Sequence, residues 1–356
     1  MLLFDVALLI ALLYIAANYV IVMIGMLGHR AASARLQRLP KISVIIPAKE
    51  EESVIEVTLR RLRKSYGNLE IIVVDSSKNN MTKKIARKYG AKVLADTAGR
   101  GKAHALNMGI EKAGGEFLYF IDADSMVTPS TIRQLVSSIG THDACVGFVI
   151  ARGNSVASLL GELETLFLNA ANFWVSTMLG TAFVIGRNYI IRRSALRELG
   201  NFDSVLSEDI NLSYKLYSGG KRVVFNPGAV CYERAPKQIS HFFRQQERWG
   251  AGSFHEIGKS MRTHALLSIT LFFIAMFYVF TPAFLLLAAA NSLFAIPGVA
   301  GLLPLAYLSF KHLNRQRLPL VPVALVLMMA IFLAVSLNLI IKKTLGLKVG
   351  WYKTPR

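Results

Sequence analysis

The sequence predicts an α/β domain with a mostly parallel sheet, joined to a helical membrane region. Three observations carry this reading. Short β-rich runs alternate with helix-like stretches between Ile42 and Asp122, as parallel strands covered by helices do. Long apolar stretches flank that region, the first being Leu2–Leu27. Finally, 53% of the 356 residues are hydrophobic and the mean hydropathy is +0.42, too apolar for an ordinary soluble chain.

Residues 1–28 are interrupted only by Asp5 and Asn18, and about 20 apolar residues cross a bilayer. A cleaved leader would carry Lys or Arg ahead of its apolar run. Met1–Asp5 has neither, so a retained anchor is expected. Arg30, Arg35, Arg38 and Lys41 follow it and predict a cytoplasmic domain over residues 41–235.

Residues 236–262 mix Phe242, Phe243, Trp249 and Phe254 with Lys237, Arg244, Lys259 and Arg262. Such mixtures suit helices lying at a membrane surface. Ser155–Leu179, rich in Leu, Phe and Trp, reads the same way, with a plain core helix as the alternative. Residues 264–341 predict about three more spans. Ala265–Phe310 is long enough for two, with a break near Asn291–Gly298, and Leu318–Ile341 is the third. A basic tail, 342–356, ends the chain. Three spans after a cytoplasmic domain would place that tail outside, whereas its charge favours the inside. Either Leu318–Ile341 is bent or re-entrant, with Pro319 and Pro322 distorting its start, or the charge rule is broken here.

The formal net charge is +19. Nucleic-acid binding is one reading; attraction to anionic lipids and phosphorylated substrates is the other. The basic residues flank the apolar runs rather than forming one tail. Membrane lipids are therefore the expected partner, and nucleic acid is not. Cys145 and Cys231 lie in no CxxC pair and read as buried thiols in a reducing cytosol.

In the domain, strands are predicted at Ile42–Pro47, Leu69–Asp75, Ala91–Leu94 and Glu116–Asp122. Helices are predicted at Glu51–Ser65, Thr82–Tyr89 and Lys102–Ala113. Ligands of such sheets bind beyond the carboxyl ends of the strands, where Pro47, Asp75 and Asp122 fall. The turn Pro47-Ala-Lys-Glu-Glu51 has no glycine, and Gly99-Arg-Gly-Lys102 lacks the rest of a P-loop. Dehydrogenase and P-loop readings are disfavoured, and there is neither a GxSxG elbow nor a paired-His zinc motif.

Asp122-Ala-Asp124 closes an apolar strand. On extended chain its two carboxylates would point the same way and make an oxygen site for Mg²⁺ or Mn²⁺. Such an ion would bind diphosphate oxygens and stabilise a leaving group. Glu208-Asp209 could supply a base for an acceptor hydroxyl, Asp209 being preferred; Ser207-Glu-Asp209 also reads as a helix cap before Ile210–Tyr217. Arg248 could neutralise diphosphate charge and Trp249 could stack on a sugar; both could equally anchor the chain at a bilayer. Lys102 and Arg100 could face phosphate or solvent.

Taken together, Ile42–Gly250 resembles the family 2 inverting glycosyltransferases. The Gln245-x-x-Arg248-Trp249 signature is similar to that of membrane-bound polysaccharide synthases, ceramide glucosyltransferases and polyprenyl-phosphate mannosyl- and glucosyltransferases. The resemblance implies a GT-A fold: Rossmann-like, with a mixed, mostly parallel sheet. It implies that Pro47, Ala48, Glu51 and Asp75 hold base and ribose. Asp122 and Asp124 would hold a metal-bound diphosphate, the metal being Mn²⁺ or Mg²⁺. Asp209, beside Glu208, would be the base, and Gln245, Arg248 and Trp249 would contact the diphosphate and the acceptor mouth. The tail Trp351–Arg356 is similar to a gating element of some members.

The usual Tyr-Asn is replaced by Lys49-Glu50, and the usual Asp-Asp-Gly-Ser by Asp75-Ser-Ser-Lys78. Both changes fall where the nucleobase should lie, so UDP and GDP donors stay open, with GDP-mannose favoured. About four spans suit transfer of one hexose to a lipid or lipid-linked acceptor better than polymer extrusion. A processive synthase is the alternative. From other classes come a silent nucleotide-sugar receptor, disfavoured by Asp122, Asp124, Asp209 and Arg248, and a tethered nucleic-acid binder.

Overall fold

The structure is a computed structural model that describes residues 2–29, 39–252 and 277–347. Arg30, Arg35, Arg38, Phe254, Lys259, Arg262 and the tail from Lys348 lie outside the described residues, as does most of the first post-domain span. The chain forms two compact units: 30–150 with 180–234, and 1–29 with 151–179 and 235–356.

The first unit is the α/β domain. Its elements are β1 (Ile42–Ala48), α2 (Ile55–Ser65), β2 (Leu69–Asp75), α3 (Met81–Lys88), β3 (Lys92–Ala95), α4 (Lys102–Glu111), β4 (Phe117–Phe120), β5 (Met126–Val127) and α5 (Thr131–Ile139). They continue with β6 (Ala144–Arg152), β7 (Tyr189–Arg192), α7 (Arg193–Glu198), α8 (Glu208–Ser218) and β8 (Val223–Arg234). The strand order is β3-β2-β1-β4-β7-β6-β8-β5. β1, β2, β3 and β4 run parallel, while β7 turns antiparallel to β4 and β6. The sheet is thus mixed and mostly parallel on its N-terminal side, as expected of a GT-A fold.

β1 and β2 are buried almost throughout, which is why their sequences run apolar without alternation. α2 buries Ile55, Leu59 and Leu62 at helical spacing and turns Arg60, Arg61 and Lys64 outward, as an amphipathic covering helix does. It starts at Ile55 rather than Glu51. Glu50 sits at φ +56°, and the Glu51 amide donates to Thr82 Oγ1 at 3.1 Å, so a turn precedes the helix.

A second difference concerns Asp122-Ala-Asp124. β4 ends at Phe120, and the acidic pair occupies a turn in which the Ser125 amide donates to the Asp122 carbonyl at 3.2 Å. The alternation expected of extended chain does not apply there. Cys145 and Cys231 are buried, and burial pushes both thiols up, away from reactivity.

The second unit is helical: α1 (Leu2–Gly28), α6 (Val156–Leu179), α9 (239–252), α10 (Phe277–Leu287), α11 (Ala295–His312) and α12 (Val321–Thr344). Three described helical segments, Asp5–Gly28, Ser292–His312 and Arg315–Thr344, are long and apolar enough to cross a membrane. Large apolar side chains such as Ile10, Ile24, Val323 and Leu337 are exposed on them.

α6 differs from the interfacial reading. It packs on α1 and buries most of its length, so its polar residues need internal partners. Glu162 receives Arg317 Nη1 at 2.8 Å and the Gly153 amide at 3.2 Å. Trp174 Nε1 donates to Asn18 Oδ1 at 2.8 Å, which accounts for the polar break in the first apolar run. Pro319 lies in a 3₁₀ turn, Arg315–Leu320, and the helix after it is continuous.

Candidate active site

The loops after β1, β2 and β4 converge at the carboxyl edge of the parallel strands, the binding edge of open α/β sheets. After β1, the Ala48 carbonyl takes the Ser76 amide at 2.9 Å. Glu50 donates its amide to Ser77 Oγ at 2.5 Å, and Ser77 Oγ–H is 2.5 Å from Asp75 Oδ1. Asp75 is 1% exposed, yet its Oδ2 has no partner among the described residues. A buried acceptor of that kind calls for a hydrogen-bond donor. Pro47 and Glu51 line the same turn and are half-buried.

Lys102 opens α4, and its ammonium is the hub of the acidic site. Nζ lies 3.0 Å from Asp122 Oδ1 and 3.2 Å from Glu208 Oε1, and donates to the Gly186 carbonyl at 3.2 Å. Burial disfavours the charge, but Asp122, Glu208 and Asp209 together outweigh it and raise the lysine's affinity for its proton. The side chain thus points into the acidic cluster rather than along a solvated helix flank.

Asp209 sits in the first turn of α8. Burial first, and the Glu208 charge second, push its carboxyl up to about 6, against the pull of Lys102 and two backbone amides. Ser207 holds the N-cap position but makes no side-chain cap bond. The Ile210 amide bonds Asp209 Oδ1 instead, at 2.9 Å. Asp124 is buried, 8% exposed.

Sequence reasoning missed the residues that hold this frame. Thr58 Oγ1, the one buried threonine of α2, lies 2.7 and 2.8 Å from the carbonyls of Ala123 and Ser125, pinning the acidic turn to the helix. A lone hydroxyl on an apolar helix face was the available signal. Asn107 clamps Phe202 through both amide atoms, at 2.9 and 3.1 Å. Asn188, at φ +58°, donates to the Phe148 and Ala229 carbonyls and accepts from Tyr119 Oη at 2.9 Å. Buried Asp96 takes Ser76 Oγ at 2.9 Å and the Gly99 amide at 3.1 Å, shaping the turn into α4.

Gln245, Arg248 and Trp249 belong to the helical unit, on α9. Gln245 is buried, and Arg248 and Trp249 are half-buried. Glu247, between them, accepts from Asn338 Nδ2 at 2.7 Å and pairs with Lys342, both on α12.

An oxygen-only pair such as Asp122 and Asp124 suits Mg²⁺ or Mn²⁺. No cluster of three or more His, Cys, Asp or Glu able to hold a metal occurs among the described residues. The two aspartates would leave most of an ion's shell to other oxygens, which fits an ion that arrives with a diphosphate.

The comparisons agree with this architecture. A probable glycosyltransferase of Bacillus subtilis (strain 168), YdaM, is 29% identical over 284 residues, 73% of this chain and 67% of the relative. The poly-beta-1,6-N-acetyl-D-glucosamine synthase of Staphylococcus aureus (strain COL) is 27% identical over 241 residues, 64% of this chain. The chain spans only 58% of that synthase's length. Among solved structures, the mannosyltransferase PcManGT from Pyrobaculum calidifontis, in complex with GDP-Man and Mn²⁺, aligns with a TM-score of 0.61. That alignment covers 95% of this chain and 99% of that one at 24% identity, and it shows the fold. The model of glycosyl transferase family 2 matches residues 43–200, from β1 through α7, so this stretch is a family 2 glycosyltransferase domain of GT-A fold.

Proposed function

We propose that the chain moves a hexose from a nucleotide-diphosphate sugar to a lipid or lipid-linked acceptor, with inversion, at the cytoplasmic face of a membrane. One observation carries the reading: Asp209, its carboxyl raised to about 6 by burial and by Glu208, lies in the field of the Lys102 ammonium, which itself pairs with Asp122 and Glu208.

In the proposed reaction Asp209 takes the acceptor hydroxyl proton as that oxygen attacks the anomeric carbon. The bond from that carbon to the diphosphate breaks in the same displacement, which inverts the centre. Lys102 faces the departing charge. Asp122 and Asp124 would hold Mn²⁺ or Mg²⁺, which when bound supplies Lewis-acid stabilisation of the leaving diphosphate. Asp75 Oδ2 would accept from the base, with Pro47, Ala48 and Glu51 bordering it. Uracil and guanine both offer an N–H there, so this contact serves either donor; GDP-mannose is the favoured one. Gln245, Arg248 and Trp249 are assigned to the diphosphate and the acceptor mouth. Three helices of membrane-crossing length support a lipid-borne acceptor.

The resemblance to the Staphylococcus aureus polymer synthase favours a second reading, in which the same chemistry repeats on a growing chain. Nucleotide release from UDP- and GDP-sugars with Mn²⁺, with and without lipid extract, tests the proposal. Release from one donor, stimulated by lipid and lost in Asp209→Asn, is expected. Release insensitive to Asp209→Asn would remove the assigned base, and a long carbohydrate product would select the polymer reading.

A further inference from the structure

We infer that Lys102 is a built-in counter-cation that a divalent metal must displace from Asp122, so that metal and nucleotide enter this site as a pair. The inference rests on the donor-site reading above and goes beyond a phosphate contact.

Lys102 Nζ is bonded to Asp122 Oδ1 at 3.0 Å, Glu208 Oε1 at 3.2 Å and the Gly186 carbonyl at 3.2 Å. Those three acceptors match the three N–H donors of an ammonium. The group is therefore fully engaged, and on one of the two oxygens-bearing residues assigned to the metal. An ion at Asp122 would share a ligand with a positive charge, and at such distances like charges repel strongly in a partly buried site. The ammonium has to leave Asp122 first.

Its flexible four-carbon stem lets it move, but leaving Asp122 costs it a carboxylate contact. A diphosphate offers an anionic replacement. It also offers oxygens for the metal shell, which two aspartates leave incomplete. Each ligand thus removes the obstacle to the other, and linkage makes the effect reciprocal. A lysine that merely binds phosphate would weaken nucleotide binding when lost and leave free-metal binding alone. A lysine that guards Asp122 would weaken nucleotide binding when lost and strengthen free-metal binding.

The test uses the full chain purified in detergent, as wild type, Lys102→Met and Lys102→Arg. Free Mn²⁺ is followed by electron paramagnetic resonance, first alone and then with saturating GDP or UDP. Wild type should bind Mn²⁺ weakly alone and about tenfold or more tighter with nucleotide, a coupling of ordinary size. Lys102→Met should bind Mn²⁺ alone about tenfold tighter than wild type, and its coupling should shrink by that same factor, keeping the share that the diphosphate oxygens contribute to the metal shell. Lys102→Arg should stay near wild type. Unchanged or weaker Mn²⁺ binding by a folded Lys102→Met protein overturns the inference. So does wild type binding Mn²⁺ equally with and without a nucleotide that it does bind, a measurement needing no variant. If wild type binds neither nucleotide, the donor-site reading fails instead, and the Mn²⁺-only contrast still decides the role of Lys102.

Discussion

A Cβ built on Gly186 would stand 3.1 Å from Asp209 Oδ2, and Gly186 itself adopts φ +55°. The loop beside the assigned base is therefore shaped for bare backbone, and its carbonyl also takes Lys102. Gly186→Ala should cost about 1 kcal/mol of stability through the positive φ. It should lower kcat more than that, by about tenfold or more, because a small displacement of a base is amplified in rate. Nucleotide affinity should stay close to wild type. Turnover numbers measured beside nucleotide binding check this, and an equal loss in both would mean that the loop collapses rather than crowds the base.

The Asp209 carboxyl, raised to about 6, predicts an acid limb in the pH–rate profile. A base works deprotonated, so kcat/KM should rise as pH climbs through about 6 and level off above it. Glu208 raises that value by like-charge repulsion, so Glu208→Gln should move the limb to lower pH. Asp209→Asn should abolish transfer at every pH while leaving nucleotide binding nearly intact. A limb that stays in place in Glu208→Gln would mean that the two carboxylates do not interact during turnover.

The sheet and the acidic loops were legible because their signals are local. Ile42–Pro47 and Leu69–Asp75 are apolar runs ended by turn residues, and both are strands within a residue of those limits. Asp75 closes β2 and Asp122 lies two residues beyond β4, so their place at the carboxyl edge of the sheet could be read directly. The hub at Lys102 could not be, because Asp122 and Glu208 meet it from segments 20 and 106 residues away along the chain. Thr58 was hidden for the same reason, its partners Ala123 and Ser125 lying 65 and 67 residues on. The extended reading of Asp122-Ala-Asp124 failed because β4 ends at Phe120 and the chain turns. Composition misled at α6, whose Glu162 resembles a surface charge until Arg317 is seen beside it.

Thr58 offers a way to loosen the acidic turn without touching a carboxylate. Thr58→Val keeps the shape but leaves the carbonyls of Ala123 and Ser125 without the hydroxyl they share. Stability should fall by about 1–3 kcal/mol, the cost of stranding buried acceptors. Metal-dependent nucleotide affinity should fall with it, since Asp122 and Asp124 flank those carbonyls. Thr58→Ser restores the hydroxyl and should recover affinity more fully than stability. Nucleotide titrations with and without Mn²⁺ separate the two effects, and a Thr58→Val protein with wild-type affinity would disconnect the turn from the helix.

Arg187 and Glu233 form a buried ion pair, 4% and 3% exposed. Arg187 lies between Gly186, whose carbonyl holds Lys102, and Asn188, which is locked in a left-handed conformation. The pair therefore ties the base-side loop to β8. Breaking one side of such a pair strands a charge, so Glu233→Gln should destabilise the protein by about 3–5 kcal/mol. Removing both charges, as Arg187→Met with Glu233→Met, should recover part of that loss, because a buried pair is worth little against an apolar replacement. Activity should not recover in parallel if the arginine positions the loop. Thermal unfolding of the single and double variants, read beside kcat, tests both halves. A double variant no more stable than Glu233→Gln would mean that these residues are held by packing around them rather than by each other's charge.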